Sequence, residues 1–591
     1  MTKDYAVFGA GPSGLYTVWR LLQSGHLGAG DSLRLYEWGS YDFDGSQGTR
    51  PPAGRICSHH YKGEAGESYI ELGGMRYIEW DPAQGPDGHR LVTTTIHEMG
   101  LDDDVIDFLT TDDPLFYLRG QHFYNSQLGT GPGQVTAPYD TPGNNARPAS
   151  DLYGQVSSLI EGPNPPTTRG DQCAFYADGT LPPTFNSFVY SGGETAGNVG
   201  YWNVFYDQAG NEGFNYAADA GGYSSNVINW NAANAAIYNG EFAPGGNFKT
   251  ISGGYSKLFV ALYQKAVDAA AAAGVVLVLN QGVRLHSIWL EDGQPRYRLA
   301  PALDPDHPVG GVLGADVAFL AMPPRSVELV ARATRYDDTA GRVDFLNAGP
   351  VANYLESVIL QPSYKVAMFF DTCWWLDSTY PPDLVSQGHA PNQVFGPTIT
   401  DLPLRQIYYF RNNAGPDQPG APIYGLLASY DDMRFVSFWK ELELGVDQRR
   451  DRAVSRDLQP LVGGHQATQE MVRMLLLQLA HVHYGDPNAA GLIPEPLETV
   501  CMDWGLNPFG AGYHAWAAHY DICDVMQTVR APGELAGVPG APVYLVGSAF
   551  SNDQAWVEGA FCTAESVLVD KLGLEPIIDT SDYPLICGHC G

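Results

Sequence analysis

The stretch Tyr5-Ala6-Val7-Phe8-Gly9-Ala10-Gly11-Pro12-Ser13-Gly14, continued by Leu15, Val18, Trp19 and Leu22 and then by Leu33-Arg34-Leu35-Tyr36-Glu37, decides how the chain folds. Tyr5 to Phe8 is an apolar run of strand length, Gly9 to Gly14 interrupt it, and the next apolar residues recur at helical spacing until Gly25. Leu33 to Tyr36 resumes as a strand, so the chain begins as a βαβ unit. Gly9, Gly11 and Gly14, with Pro12 and Ser13 between them, spell G-x-G-x-x-G. The first glycine permits a tight turn, the second lets backbone approach a pyrophosphate, and the third lets helix pack on strand, while the helix start offers a partial positive charge. Glu37 stands 23 residues past Gly14, where a carboxylate accepts hydrogen bonds from ribose hydroxyls. A plain surface turn would explain the glycines but not the strand, helix and acid in register. The expectation is dinucleotide binding.

Working outward, the chain has 591 residues with 33 Lys+Arg against 66 Asp+Glu, a formal charge of −33. A charge this negative argues against phosphate-backbone binding and against docking on an anionic membrane, so neither nucleic acid nor membrane is expected as a partner. The N-terminus enters the first strand without an export-signal pattern, and no apolar run reaches spanning length. The eight cysteines are mostly isolated, which favours reduced thiols over a disulfide framework. The expected setting is cytoplasmic.

From about Gly120 to Gly246 the texture turns to Gly, Asn, Tyr, Pro and Ser with few charges. Its many aromatic residues favour an ordered, loop-rich insertion over disorder. Helical periodicity resumes at Leu258 to Ala273, with strand patterns at Val275 to Leu279, Val317 to Ala321, Lys365 to Phe370 and Ile423 to Ala428. Helical stretches follow at Val436 to Leu444 and Thr468 to His481, then a strand at Val543 to Val546 and a helix from Val557 to Lys571.

Ala53-Gly54-Arg55-Ile56 and Glu71-Leu72-Gly73-Gly74-Met75-Arg76 carry the first family signal. Together with the glycine motif they resemble the FAD-dependent amine oxidase family, in particular its L-amino acid oxidase branch. The resemblance implies that Gly54 and Arg55 approach the FAD pyrophosphate, that Gly73, Gly74 and Met75 run along the flavin, and that Arg76 holds the substrate carboxylate. A planar guanidinium suits that task, since it offers two parallel charge-assisted hydrogen bonds. For either arginine seen alone, a surface ion pair is the competing reading.

Later landmarks resemble the same family in order. Ile251 to Leu258 is similar to its helix entry, and Leu279-Asn280-Gln281-Gly282-Val283 to the strand whose valine, here Val283, meets the adenine. Tyr364-Lys365-Val366 resembles the segment whose lysine holds a water near flavin N5; an ammonium in an apolar strand needs a polar partner or a perturbed pKa, unless it snorkels to a domain edge. Gly425 to Asp432 resembles the strand whose tyrosine, here Tyr430, gives a second hydrogen bond to the carboxylate, with Tyr408, Tyr409 and Tyr424 as alternatives.

Val546-Gly547-Ser548-Ala549 and Gln554-Ala555-Trp556-Val557-Glu558-Gly559-Ala560 are similar to the closing motif of the family. Gly547, Ser548, Ala555 and Val557 are thereby implied as cofactor contacts and Trp556 as an aromatic wall. The family's acid is Ser548 here, which can still bond a ribityl hydroxyl, and its glycine is Ala555, which would narrow the site. Asp503-Trp504 to Tyr513 resembles the segment in which monoamine oxidases carry the cysteine bonded to flavin. Gly512 falls at that place, so the resemblance implies non-covalent FAD, with Trp504 near the cofactor and Tyr513 facing Trp556; plain core is the competing reading of these aromatics. Cys587-Gly588-His589-Cys590 matches a thiol-disulfide exchange motif but ends the sequence, outside the helix start such chemistry needs. It is read as a flexible tail with an opportunistic disulfide or metal contact, and no metal site is expected.

The fold expected is α/β with mixed α+β parts: a two-lobed, amine-oxidase-like flavoprotein with a Rossmann-type FAD lobe and a substrate lobe of mixed sheet plus helices. The segments read as FAD-binding 1–80, insertion and helical region 81–246, FAD-binding 247–345, substrate-binding 346–495, and FAD-binding with tail 496–591. The activity implied by the resemblance is oxidation of L-amino acids by hydride transfer from Cα to flavin N5. It gives 2-oxo acid, ammonia and hydrogen peroxide, with O2 as acceptor and Arg76, Tyr430, Lys365, Trp556 and Tyr513 at the substrate. Neutral or apolar side chains suit the low-charge insertion, and a homo-oligomer is left open. The alternatives are oxidation of amines lacking a carboxylate, an amino acid 2-monooxygenase, and a flavin-fold binding module without catalysis.

Overall fold

The computed structural model describes residues 2–39, 54–63, 66–83, 85, 87–181, 192–223, 230–240, 247–337, 341–377, 396–410, 423–443 and 464–587. Ala53, Leu444 and the Gly588-His589-Cys590 run lie outside them. Five parallel strands form one sheet in the order Val276–Gln281, Ser32–Glu37, Asp4–Phe8, Val317–Leu320, Val543–Leu545. Pieces from the start, middle and end of the chain thus meet in one layer. Val7 and Phe319 face one core, while Ala6, Phe8, Ala318 and Leu320 face the other. This is the period-two alternation of strands buried on both sides, and it is why these runs read as continuously apolar.

One face is covered by the helices Pro12–Gln23, Lys257–Ala273 and Val557–Leu572, which pack on one another. The first and last of them are joined by a buried ion pair, Arg20 Nη2 to Glu565 Oε1 at 2.8 Å. The other face meets the antiparallel ribbon Val283–Glu291, Gln294–Pro301, Val309–Gly314 and the helix Pro324–Tyr336. Gly9 has φ +109°, and a side chain there would overlap the Ala321 carbonyl oxygen; one on Gly14 would overlap the Gly9 carbonyl oxygen. The turn therefore admits only glycine at both positions.

The second large sheet has eight strands in the order His465–Gln466, Glu498–Asp503, Ser363–Phe370, Tyr424–Asp432, Gln406–Phe410, Thr398–Thr400, Leu115–Leu118, Gln121–Tyr124. It is antiparallel except where Thr398–Thr400 runs parallel to Leu115–Leu118. Two strands of this sheet come from 81–246 and one from the C-terminal segment. The Gly/Asn/Tyr-rich region is more helical than its composition suggests: Ala149–Glu161, Arg169–Asp178, Tyr201–Ala220 and Ala232–Gly240 are helices. Ala232, Ala233, Ala235 and Ala236 are wholly buried, and this helix packs closely on Ala149–Glu161. Burial of small side chains overrides the weak helix preference of the glycine and asparagine around them.

One expectation is corrected. Cys173 and Cys587 form a disulfide across 414 residues of sequence, so Cys587 is a buried anchor rather than part of a loose tail. Cys57, Cys501 and Cys562 are free thiols. Disulfides persist in oxidising compartments and are rare in the cytosol, so the pairing runs against the cytoplasmic expectation. Among the described residues, no helix is long and apolar enough to cross a membrane.

Candidate active site

Of two adjoining chambers, the first lies at the carboxyl ends of the parallel strands, where open α/β sheets place their ligands, and the second lies against the eight-stranded sheet. The first, about 1410 Å³ of empty space with its mouth included, is lined by Gly9, Gly11, Pro12, Ser13, Glu37, Gly54, Val283, Gly547, Ser548 and Val557 among others. The second, about 800 Å³, is lined by Gly73, Met75, Lys365, Tyr430, Trp504 and Tyr513, together with Tyr223, Tyr238 and Ser363. Arg55, Gly74, Arg76, Gly512, Ala555 and Trp556 line both and mark the junction. Of the residues nominated from sequence, Gly14 and the alternative tyrosines Tyr408, Tyr409 and Tyr424 line neither chamber; Gly14 packs against Gly9 and Ala321.

The first chamber fits an extended dinucleotide. The helix Pro12–Gln23 starts at Gly11 with no side-chain cap and with proline in its first turn, which leaves its early N–H groups for an anion. Glu37 is buried, one carboxylate oxygen accepting from Ala10 N and the other from Gly39 N, each at 2.7 Å. Arg55 Nη1 donates to Gly512 O at 2.9 Å, and burial pushes its pKa down to about 10, which leaves it charged at neutral pH. Gly547 N is held by Thr563 Oγ1 at 2.9 Å, and Trp504 Nε1 donates to Leu72 O at 2.7 Å. A side chain at Gly512 would overlap Ser363 Oγ, so no cysteine fits there as the chain stands.

At the junction the Arg76 guanidinium lies against the rings of Phe248 and Phe108, 4.5 and 5.0 Å from their centres. Burial opposes its charge, but the phenols of Tyr408, Tyr223 and Tyr430 outweigh that and raise its pKa. Among the four candidate tyrosines, Tyr430 lines the second chamber and Tyr408 bonds Arg76 from the adjacent strand. Tyr409 instead bonds Thr398 and His483. Tyr408 was already an alternative in the sequence, whereas Phe108, Phe248, Tyr223 and Tyr238 were not singled out there. The signal for the last two was their place in an aromatic, uncharged insertion.

Lys365 does not snorkel. It is 3% exposed, and its Nζ donates to Gly73 O at 2.6 Å and Glu71 O at 3.3 Å. Burial and the neighbouring Arg76 bring its pKa down to about 7, against the opposing pull of Glu71 and Cys57. Glu71 is itself raised to about 7 by burial, although Ser58 Oγ and Tyr255 N donate to it. Trp556 stacks on Phe248 and meets His89 edge-on. Tyr513 Oη donates to Asp432 Oδ2 at 3.4 Å. The strand Ser363–Phe370 supplies Ser363 and Lys365, and its neighbour Tyr424–Asp432 supplies Tyr430 opposite Lys365 in register.

Residues 54–567 match the family described as flavin containing amine oxidoreductase. Aplysianin-A of Aplysia kurodai is 32% identical over 210 residues, which cover 35% of this chain and 32% of that protein. The chain thus spans about a third of the length of this relative. The uncharacterized protein R188 of Acanthamoeba polyphaga mimivirus is 21% identical over 582 residues, 98% of this chain and 95% of that one. Wild-type putrescine oxidase bound to putrescine shares the fold, with a TM-score of 0.58 at 13% identity over 97% of this chain and 99% of that one.

Proposed function

The chain belongs to the flavin-containing amine oxidoreductase family, with FAD as its cofactor, and on that footing we propose that it oxidises L-α-amino acids. One amino acid, O2 and water would give 2-oxo acid, ammonia and hydrogen peroxide. Gly11, Ser13, Gly54 and Arg55 would hold the pyrophosphate, Glu37 the ribose, and Gly73 to Met75 the flavin flank. Bound there, FAD would supply the two-electron acceptor for the Cα–H bond, with O2 as the terminal acceptor.

The observation that carries the reading is the placement of Arg76. Its guanidinium stands at the junction of the two chambers with its charge favoured, and Tyr430 and Tyr408 converge on it. Such a fork holds a carboxylate through two parallel hydrogen bonds and fixes which face of Cα is presented. Trp556 and Tyr513 wall the chamber and keep water from the reacting carbon. Lys365, with a pKa near neutrality, can take a proton from the incoming ammonium or hold a water between its amine and the substrate. The described lining of the second chamber includes Arg55, Arg76 and Lys365 and no carboxylate. A dicationic amine would find no counter-charge among these described residues, which favours amino acids over putrescine-like amines. Product analysis under air tests the reading. Equimolar 2-oxo acid and ammonia with peroxide supports it; amide with carbon dioxide, or turnover of simple amines alone, contradicts it.

A further inference from the structure

The turn Ser551 to Trp556 has two sides. Ala555 and Trp556 face the junction of the chambers, while Asn552 and Asp553 point away, into the helical insertion. Asn552 Nδ2 donates to Cys587 Sγ at 3.1 Å and lies 3.6 Å from Cys173 Sγ, and its Oδ1 accepts from Cys587 N at 3.2 Å. The amide therefore grips both halves of the disulfide. Asp553 takes a two-pronged ion pair from Arg169, Nη1 at 3.1 Å and Nη2 at 2.6 Å. Arg169 opens the helix that carries Cys173, and it also donates to Leu585 O, two residues before Cys587. All five residues are buried. Within three residues of these anchors the backbone enters the left-handed region, Ala555 having φ +70°, and delivers the Trp556 ring into the chamber.

We propose that Arg169, Asn552 and the Cys173–Cys587 disulfide form a clamp by which the insertion positions the Ala555–Trp556 corner, so that turnover depends on the disulfide being closed. This rests on the substrate reading above only for the choice of substrate. An alanine in a left-handed turn stays there only where its surroundings over-determine it; the clamp supplies that constraint from behind, and the stack of Trp556 on Phe248 supplies it from the front. Opening the clamp is a two-electron step. A dithiol reductant becomes its cyclic disulfide, the Cys173–Cys587 bond breaks, and the two dithiol protons end on the two cysteine sulfurs. Because both sulfurs are buried, the step is expected to be slow in the folded enzyme.

The full-length holoenzyme tests this. Non-reducing digestion should yield one peptide pair joined through Cys173 and Cys587; a bond from Cys587 to Cys590 instead would overturn the clamp. Cys173→Ala/Cys587→Ala should retain FAD but shift the visible flavin band and lower kcat/KM for L-phenylalanine about tenfold or more, mainly through KM, since small displacements at an orienting wall cost that much. Arg169→Ala, which leaves the disulfide intact, should move the same parameters the same way, with Arg169→Lys recovering part of the loss. Variants that lose only thermal stability, with KM and flavin band unchanged, would overturn it. Wild type assayed in parallel separates the two ideas. If it is inert towards L-amino acids, the substrate reading fails and the clamp is judged on the flavin band, which must still differ between variant and wild type.

Discussion

The ammonium of Lys365 stands 4.4 Å above the ring of Tyr430, its neighbour across the sheet, and 2.6 Å from the Gly73 carbonyl oxygen. One buried cation therefore ties the eight-stranded sheet to the Gly73–Arg76 segment at the junction of the chambers. Its pKa of about 7 lies below the ordinary lysine value of about 10.4. Between those limits the folded chain holds fewer protons than the unfolded one, and the contribution of this group to stability rises with pH. Catalysis moves in the same direction: kcat/KM should rise as pH increases through about 7, as Lys365 becomes able to accept a proton. Lys365→Met should lower the plateau by about 10²-fold and shift the rise towards the pKa of the substrate amine. A pH profile unchanged in the variant would remove Lys365 from the proton chemistry.

Arg76→Ala should lower kcat/KM for L-amino acids by about 10²- to 10⁴-fold, the loss of two charge-assisted hydrogen bonds of roughly 1.5–3 kcal/mol each. FAD content should stay at one per chain. Arg76→Lys should recover only part, because an ammonium cannot make the parallel pair. Steady-state kinetics with flavin absorbance as the concentration standard checks both.

Acid precipitation should release all the FAD into the supernatant, since residue 512 is glycine and a side chain there would overlap Ser363 Oγ. Yellow colour remaining in the washed pellet would show a covalent bond and contradict the assignment.

Ala555→Gly should stabilise the fold by about 1 kcal/mol, because φ +70° is unstrained for glycine but costs an alanine that much. Thermal unfolding of holoenzyme reads it; a lower midpoint would mean that the methyl group contributes packing greater than the strain it imposes.

The glycine turn, Glu37 and the strands of the parallel sheet were legible in sequence because their physics is local: a turn that admits no side chain, an acid at the end of the next strand, and apolar runs buried on both faces. Lys365 stood out as a cation set in an apolar strand, whereas Arg76 was marked only by the family resemblance of the Glu71 to Arg76 segment. The helices of the insertion were obscured by their own composition, since Ala232 to Ala236 take their order from burial rather than from propensity. The Cys173–Cys587 bond spans 414 residues and follows from how the ends of two segments pack, which no spacing rule encodes. Tyr223 and Tyr238 reach the second chamber for the same tertiary reason.

The most direct test of the central claim is the anaerobic visible spectrum of the purified holoenzyme, recorded before and after adding L-amino acids, D-amino acids or simple amines in turn. The oxidised flavin band is expected to bleach with L-amino acids alone, and that of Arg76→Ala to bleach far more slowly. A band that persists with L-amino acids, or that bleaches equally with amines lacking a carboxylate, would contradict it.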